Sequence, residues 1–273
     1  MLKRLRLGRV GTVEVQISGL DVPLVLRRST RARRLSLQVS EVRRGAMLTM
    51  PAYSSLTEAE RFLARHMDWL KARLTNLPDP IPFADGAVVP LRGVTHRLRF
   101  AGPSRRRGVV WIEEPDNARI ASVWPQELAD DATDLRRLHV AGDERHAPRR
   151  LLDWLKRQAQ ADLKIHVGLH AKRLGVTPAR ITVRDQTTRW GSCSSTGTLS
   201  FSWRLILAPP FVLDYLAAHE AAHLEEMNHG RKFWALVEKT MPLYGEARDW
   251  LHEHGSKLHA YGADDLPVPA QDV

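Results

Sequence analysis

Apolar and polar residues alternate in short runs through the first hundred positions. Val13, Val15 and Ile17 alternate with polar neighbours across residues 12–17, and Leu35, Leu37 and Val39 repeat the pattern. Both segments predict half-buried strands. Residues 46–50 predict a third strand, stopped by Pro51. The period then lengthens: Phe62, Leu63, Met67, Leu70 and Leu74 recur at helical spacing. Ser55 or Thr57 supplies the cap of that helix, and Thr57-Glu58-Ala59-Glu60 resembles a capping box. Leu77-Pro78-Asp79-Pro80-Ile81-Pro82 ends it. Residues 88–100 predict two short strands around Gly93, and residues 109–112 one more.

The second half reads differently. Apolar residues at 154, 155, 159, 163, 167, 169 and 174 predict a long amphipathic helix. Residues 181–183 and 199–203 predict strands on either side of a turn-rich segment, residues 190–197. Pro209 and Pro210 stand where a helix begins, because proline suits a first turn. That helix is expected over about residues 211–226. The mixture is an α+β pattern without internal repeats.

Charge adds a division that the pattern alone does not give. Residues 1–110 hold 21 basic and 8 acidic side chains, whereas residues 111–273 hold 20 and 23. The expected organisation is a basic β-rich region with one helix (1–110), a connector or insertion (111–147) and a catalytic domain (148–273). Five arginines, Arg27, Arg28, Arg31, Arg33 and Arg34, cluster before a predicted strand and are candidates for binding an anion. Nucleic acid or a nucleotide is the partner such a cluster suggests, and a merely solvated face is the alternative. Tyr53 and Phe62 are the nearest aromatics in sequence, so stacking on a single strand has little support.

No run approaches the ~18 apolar residues of a membrane span, and no secretory signal opens the chain. A cytoplasmic protein without a membrane partner is expected. The single cysteine, Cys193, excludes an intrachain disulfide and any zinc site built from several thiolates.

The chemistry concentrates in His219-Glu220-Ala221-Ala222-His223. Two histidines four apart share one face of a helix, so both imidazoles can reach one metal ion. Glu220 lies beside them, placed to take a proton from an activated water. His229 follows six residues on and can supply a third ligand if the chain turns back near Asn228. Three protein ligands with one open position make a catalytic zinc site, whereas a structural site uses four. With 12 His and 14 Glu in the chain, chance placement of H-E-x-x-H has a probability of roughly 0.03, falling to about 0.001 with His229 required. A surface helix with Glu–His pairs is the bland alternative.

Arg189-Trp190-Gly191-Ser192-Cys193-Ser194, Leu205-Ile206-Leu207-Ala208-Pro209-Pro210, the His219–His229 segment and Phe233-Trp234 resemble the YgjP-like zinc metallopeptidase family. Its members are zincins related in motif to the WLM and SprT-like proteases. Arg33-Arg34-Leu35-Ser36-Leu37, Met50-Pro51, Asp68-Trp69-Leu70 and Leu91-Arg92-Gly93 extend the similarity to the first half. It is weakest across residues 103–147. The resemblance implies a zincin-like domain, a zinc ion on His219, His223 and His229, and Glu220 as general base in peptide hydrolysis. Two positions depart from the pattern. Ala221 replaces a usual leucine, and Glu226 occupies the place of the glycine that turns the chain in metzincins. Asn228, which tolerates positive φ, is expected to make the reversal instead.

Other residues carry lesser expectations. Arg189 and Trp190 are candidates for lining or supporting the cleft, and Cys193 for a thiol near the metal. Glu225 or Glu226 can orient an imidazole, and Tyr244 can serve as an oxyanion donor. His252, His254 and His259 form a possible second cluster. Glu238 and Glu246 are carboxylates that can replace His229 as third ligand. Two other functions stay open: a metal-dependent nucleotide or phosphate-ester hydrolase, and a nucleic-acid-binding module with a structural or vestigial metal site.

Overall fold

The computed structural model describes residues 10–20, 22–40, 45–103, 109–114, 135–186 and 189–262. The centre of the basic loop (104–108), most of the expected connector (115–134) and the tail after residue 262 lie outside the described residues. The chain divides into two units, Met1–Asp79 and Pro80–Val273.

In the first unit, β1 (Gly11–Val15), β2 (Leu24–Ser29), β3 (Ser36–Ser40) and β4 (Gly45–Pro51) form one sheet in the order β1-β2-β4-β3. β2 and β4 run parallel, and the outer strands pair antiparallel to them. β2 is absent from the sequence expectation. Its apolar run is only Leu24-Val25-Leu26 and merges into Arg27-Arg28, which read as a charge cluster. Leu26 stands opposite Val13 on one side and Leu48 on the other.

Helix α1 (Leu56–Arg65) starts from Ser55, two positions before the pattern at Thr57. The Ser55 hydroxyl accepts from Glu58 N–H at 3.1 Å, and the Glu58 carboxylate accepts from Ser55 N–H at 2.8 Å. The box therefore satisfies two helix-end donors reciprocally. The single expected helix breaks at His66, which caps α1 and precedes α2 (Met67–Thr75). Leu24, Leu26, Leu48, Met50, Leu63 and Leu70 form this unit's core.

The second unit holds two sheets. β5 (Val88–Leu91), β6 (Val94–Phe100), β7 (Val110–Glu113) and β8 (Arg136–Val140) are ordered β5-β6-β8-β7. The β5–β6 hairpin turns through Arg92 (φ 51°) and Gly93 (φ 74°), as the left-handed pair of a two-residue hairpin requires. Arg92 is held there by a bidentate contact to Asp162 at 2.8 and 2.9 Å. Because β6 pairs in parallel with β8, the basic hairpin and the chain after the acidic segment share one sheet. Charge balance suggested a boundary near residue 110; strands on both sides of it pair in this sheet, and the compact units meet at Asp79.

Helix α3 (Ala147–Leu174) begins before the expected start at Trp154 and ends at Gly175 in the left-handed conformation. It buries Leu151, Leu155, Ala159, Leu163 and Val167. The second sheet joins β9 (Arg180–Arg184), β10 (Gly191–Cys193) and β11 (Thr198–Ser202) in the order β10-β11-β9. β10 is an edge strand and falls in the segment expected to be a turn. Three helices follow: α4 (Pro210–Ala222), α5 (Arg231–Thr240) and α6 (Tyr244–Leu258).

Arg204 ties the end of α6 into this core. Its guanidinium, fully buried, donates to the carbonyls of Leu258 (3.2 Å) and Tyr261 and lies over the Trp203 ring. None of the described helices is long and apolar enough to cross a membrane.

Candidate metal centre

α4 is apolar on nearly every side, with Val212, Leu213, Tyr215, Leu216, Ala217 and Ala218 all buried. Its last turn therefore carries polar side chains into the interior. The helix stops at Ala222 with His223 as its cap, earlier than the expected end near residue 226. Leu224, Glu225 and Glu226 N–H groups bond back to the carbonyls of Ala221 and Ala222 at 3.0–3.1 Å. Asn228 does not take positive φ; among described non-glycine residues only Arg92 does. The reversal is made instead by these bonds and by the Glu226 carboxylate, which accepts from Asn228 N–H at 3.2 Å.

The turn folds His229 back over the helix. Its Nε2 lies 3.1 Å from Nε2 of His219 and 3.1 Å from Nε2 of His223. The three ligand atoms all lie within 4.8 Å of one another, and among the described residues the set contains no carboxylate. His223 Nδ1–H donates to the Glu226 carbonyl at 3.0 Å. That bond sets the tautomer and leaves the Nε2 lone pair facing the centre. So Glu226 does orient an imidazole, but through its backbone; its carboxylate serves the turn. A single N–H on His229 satisfies at most one of its two contacts. A cation among the three nitrogens satisfies all of them. Ligands at ~2.05 Å on a tetrahedron stand about 3.3 Å apart, close to the spacing found.

The surroundings favour the neutral form of the two helix-borne imidazoles, His219 and His223. Burial, then the neighbouring His223 and His229, pushes His219 down to about 3. Burial also lowers His223. Phe233 of α5, fully buried, underlies all three rings with centroids 4.8, 4.4 and 4.7 Å away. Tyr215, one turn before His219, places its hydroxyl 3.4 Å from His219 Nδ1. Its i, i+4 spacing to His219 was the available sequence signal, but it reads as one more apolar position of α4.

Glu220 is 3% exposed, and its Oε2 has no hydrogen-bond partner. Burial pushes its pKa up to about 8, with the charge of Arg189 opposing. The carboxylate lies against the edge strand: a Cβ built on Gly191 would stand 2.4 Å from Glu220 Oε1. Only glycine at 191 leaves that space open. Arg189 is exposed and acts on Glu220 through charge. Trp190 points the other way, stacked on His259 at 4.6 Å and packed on Gly255. It supports the fold beneath the strand. Cys193 lies half-exposed on β10; burial and Glu220 raise its pKa, which disfavours the thiolate.

The remaining candidates do not converge on the centre. His259 is committed to Trp190, His254 packs near Trp250, and His252 is exposed. Glu238 and Glu246 are exposed and stand outside the histidine set. Tyr244 stacks on Trp234 at 5.3 Å. Of the arginine cluster, Arg27 and Arg31 are exposed and Arg28 donates to the Ser54 carbonyl at 3.3 Å. Arg33 and Arg34 line a groove of the first unit.

A helix-borne histidine pair, a third histidine returned by a tight turn and a buried glutamate between helix and edge strand place the second unit among the metallopeptidase-like α+β domains. Residues 33–254 match the family described as YgjP-like, metallopeptidase domain, and the chain belongs to it. The crystal structure of the metallopeptidase zymogen abylysin from Pyrococcus abyssi is similar at 22% identity, over 33% of this chain and 92% of that one, with a TM-score of 0.32. Comparison with curated proteins gives no match.

Proposed function

We propose that this protein is a zinc-dependent peptidase, with His219, His223 and His229 holding the ion and Glu220 acting as general base. The observation that carries the reading is the meeting of three Nε2 atoms, with the residue next to His219, Glu220, holding a buried carboxylate oxygen that has no hydrogen-bond partner. An all-imidazole donor set suits zinc, whereas magnesium or calcium would call for oxygen ligands. When bound, zinc supplies Lewis acidity toward a carbonyl and acidifies water at its open position.

The chain's own residues then divide the remaining work. Glu220 accepts the proton of the attacking water and passes it to the leaving amine. Its apolar surroundings raise its basicity, and a neighbouring cation lowers its pKa again, so it can work in both directions near neutrality. Gly191 keeps the space its carboxylate occupies. β10 lies at one end of its sheet and, among the described residues, pairs with β11 alone, so an extended peptide can lie along its other side as an added strand.

The test is metal content and turnover measured together on the purified full chain. Glu220→Gln should keep about one zinc while losing cleavage of an unfolded protein such as casein by a factor of at least ~10². Loss of metal with activity would make Glu220 a structural group. His229→Ala should weaken zinc binding beyond the ~10–100-fold typical of a supporting hydrogen-bond partner. Near-normal zinc affinity in that variant would remove His229 from the ligand set. Release of phosphate or pyrophosphate from nucleotides, without peptide cleavage, would replace the peptidase reading.

A further inference from the structure

The first unit carries a feature that peptide hydrolysis does not use. Between the β2–β3 connection and α1 lies a groove of about 710 Å³, lined by Arg33, Arg34, Tyr53, Glu58, Arg61 and Arg65 among others. All four arginines are exposed. Arg61 and Arg65 are four residues apart on α1, so they lie in a row along one face, about 6 Å apart in rise. Arg33 and Arg34 come from the loop before β3. The one carboxylate in the lining, that of Glu58, accepts from Ser55 N–H at 2.8 Å to cap α1. Among the described residues no carboxylate pairs with any of the four guanidinium groups. Like charges gathered on one surface without counter-charges repel one another, a cost that an anionic ligand would relieve.

Tyr53 sets the kind of anion. Its side chain is 79% exposed, yet its hydroxyl donates to the Arg33 carbonyl at 2.8 Å. The ring is therefore anchored to the arginine loop and faces solvent as a fixed flat surface. Sequence distance concealed this, since Tyr53 lies twenty positions from Arg33. Guanidinium groups that meet phosphates, beside a ring that accepts a base, are the two parts of a single-strand binding surface. A duplex would use the arginines alone, because its bases are already stacked.

We propose that this groove binds single-stranded nucleic acid, with phosphates on Arg33, Arg34, Arg61 and Arg65 and a base on Tyr53. The binding is independent of the peptidase reading and needs no metal. Arg27 and Arg31, of the same sequence cluster, stand outside the lining.

The test is fluorescence anisotropy of the full chain with a labelled oligouridylate of about twelve nucleotides, within the site sizes of single-strand binders. Four phosphate contacts predict a slope of log affinity against log salt of about −2.8. Arg61→Glu with Arg65→Glu should weaken binding at least tenfold at low salt and roughly halve that slope. Tyr53→Ala should lose about tenfold, whereas Tyr53→Phe, which keeps the ring, should bind close to wild type. Arg27→Glu, outside the groove, should change affinity less than threefold. Circular dichroism and an unchanged thermal unfolding transition of the first unit establish that each variant is folded. Wild-type affinity in the Arg61/Arg65 variant, or in Tyr53→Ala, would overturn the proposal. So would equal affinity for a duplex of the same length, or displacement of the strand by equimolar ATP.

Discussion

The two units solve opposite electrostatic problems. In the first, chemistry-bearing side chains lie on the outside of a small sheet-and-helix core, where water screens them. In the second, histidines and a glutamate are driven inside by a helix with almost no polar face. Surface arginines need no local support, so their geometry is set by loops and one helix face. Two largely buried imidazoles, an exposed third and a buried carboxylate need every neighbour specified: a carbonyl for His223, an aromatic floor for all three rings, and a glycine beside Glu220. The difference teaches where each unit is sensitive to substitution. The first should tolerate side-chain changes at its groove without loss of fold, and the second should not tolerate them at its centre.

The sharpest way to break this contrast is to damage one core and read the other. Leu48 is fully buried in β4, opposite Leu26 and Leu37. Leu48→Ala should destabilise the first unit by about 2–5 kcal/mol, seen as an early unfolding transition in calorimetry. Zinc affinity of the full chain should stay within a factor of two at a temperature below that transition. A parallel fall in zinc affinity would mean the units are not separate in stability.

A smaller change should be felt strongly in the second unit. Gly191→Ala places a methyl where the Glu220 carboxylate stands, displacing it by the order of 1 Å. Turnover should fall by about 10², with zinc content unchanged, because a displaced proton acceptor loses reach before the ligands move. Unaltered turnover would show that Glu220 has room to spare and that the glycine serves only the strand.

The smallest effect concerns a charged network away from the centre. Asp214 on α4 accepts from His166 at 2.6 Å and from His170 at 2.7 Å, and His170 meets Thr240 of α5 at 2.6 Å. The bond to Asp214 raises the pKa of His166. Burial works to raise Asp214, but the bonds from both histidines outweigh it and hold the carboxyl below its usual range. A raised histidine contributes stability that is full below its unfolded pKa near 6.5 and lost as pH climbs through the folded value. A lowered carboxylate contributes above its unfolded pKa near 3.9 and loses it on acidification. Stabilisation by this pair should therefore peak between about pH 4 and pH 6.5. Thermal melts should show wild type and Asp214→Asn furthest apart in that window and converging as the pH rises past it. A gap that stays constant across pH would remove the ion pair from the account.

Much of the candidate site was legible because its information is local. A helix forces residues four apart onto one face, so His219 and His223 are neighbours in any fold that keeps α4 helical. Pro209 and Pro210 mark its start, and the capping residues near Ser55 mark another. The alternations that predict β1 and β3 work for the same reason, since Val13, Val15, Leu37 and Val39 pack half-buried against the core. What the sequence did not reveal is what depends on partners distant in the chain. β2 and β10 gave no signal because an inner strand and a three-residue edge strand are defined by what pairs with them. The reversal after α4 rests on a carbonyl and a carboxylate of Glu226, not on a left-handed Asn228. That β6 joins β8 across residue 110 depends on pairing between segments distant in the chain. Tyr53 meets Arg33, Gly191 meets Glu220, and Phe233 underlies the histidines only because tertiary packing brings separate segments together. Local stereochemistry determined the two imidazoles and the carboxylate beside them; long-range packing alone decided the third imidazole's approach, the space at Gly191 and the ring beside the arginines.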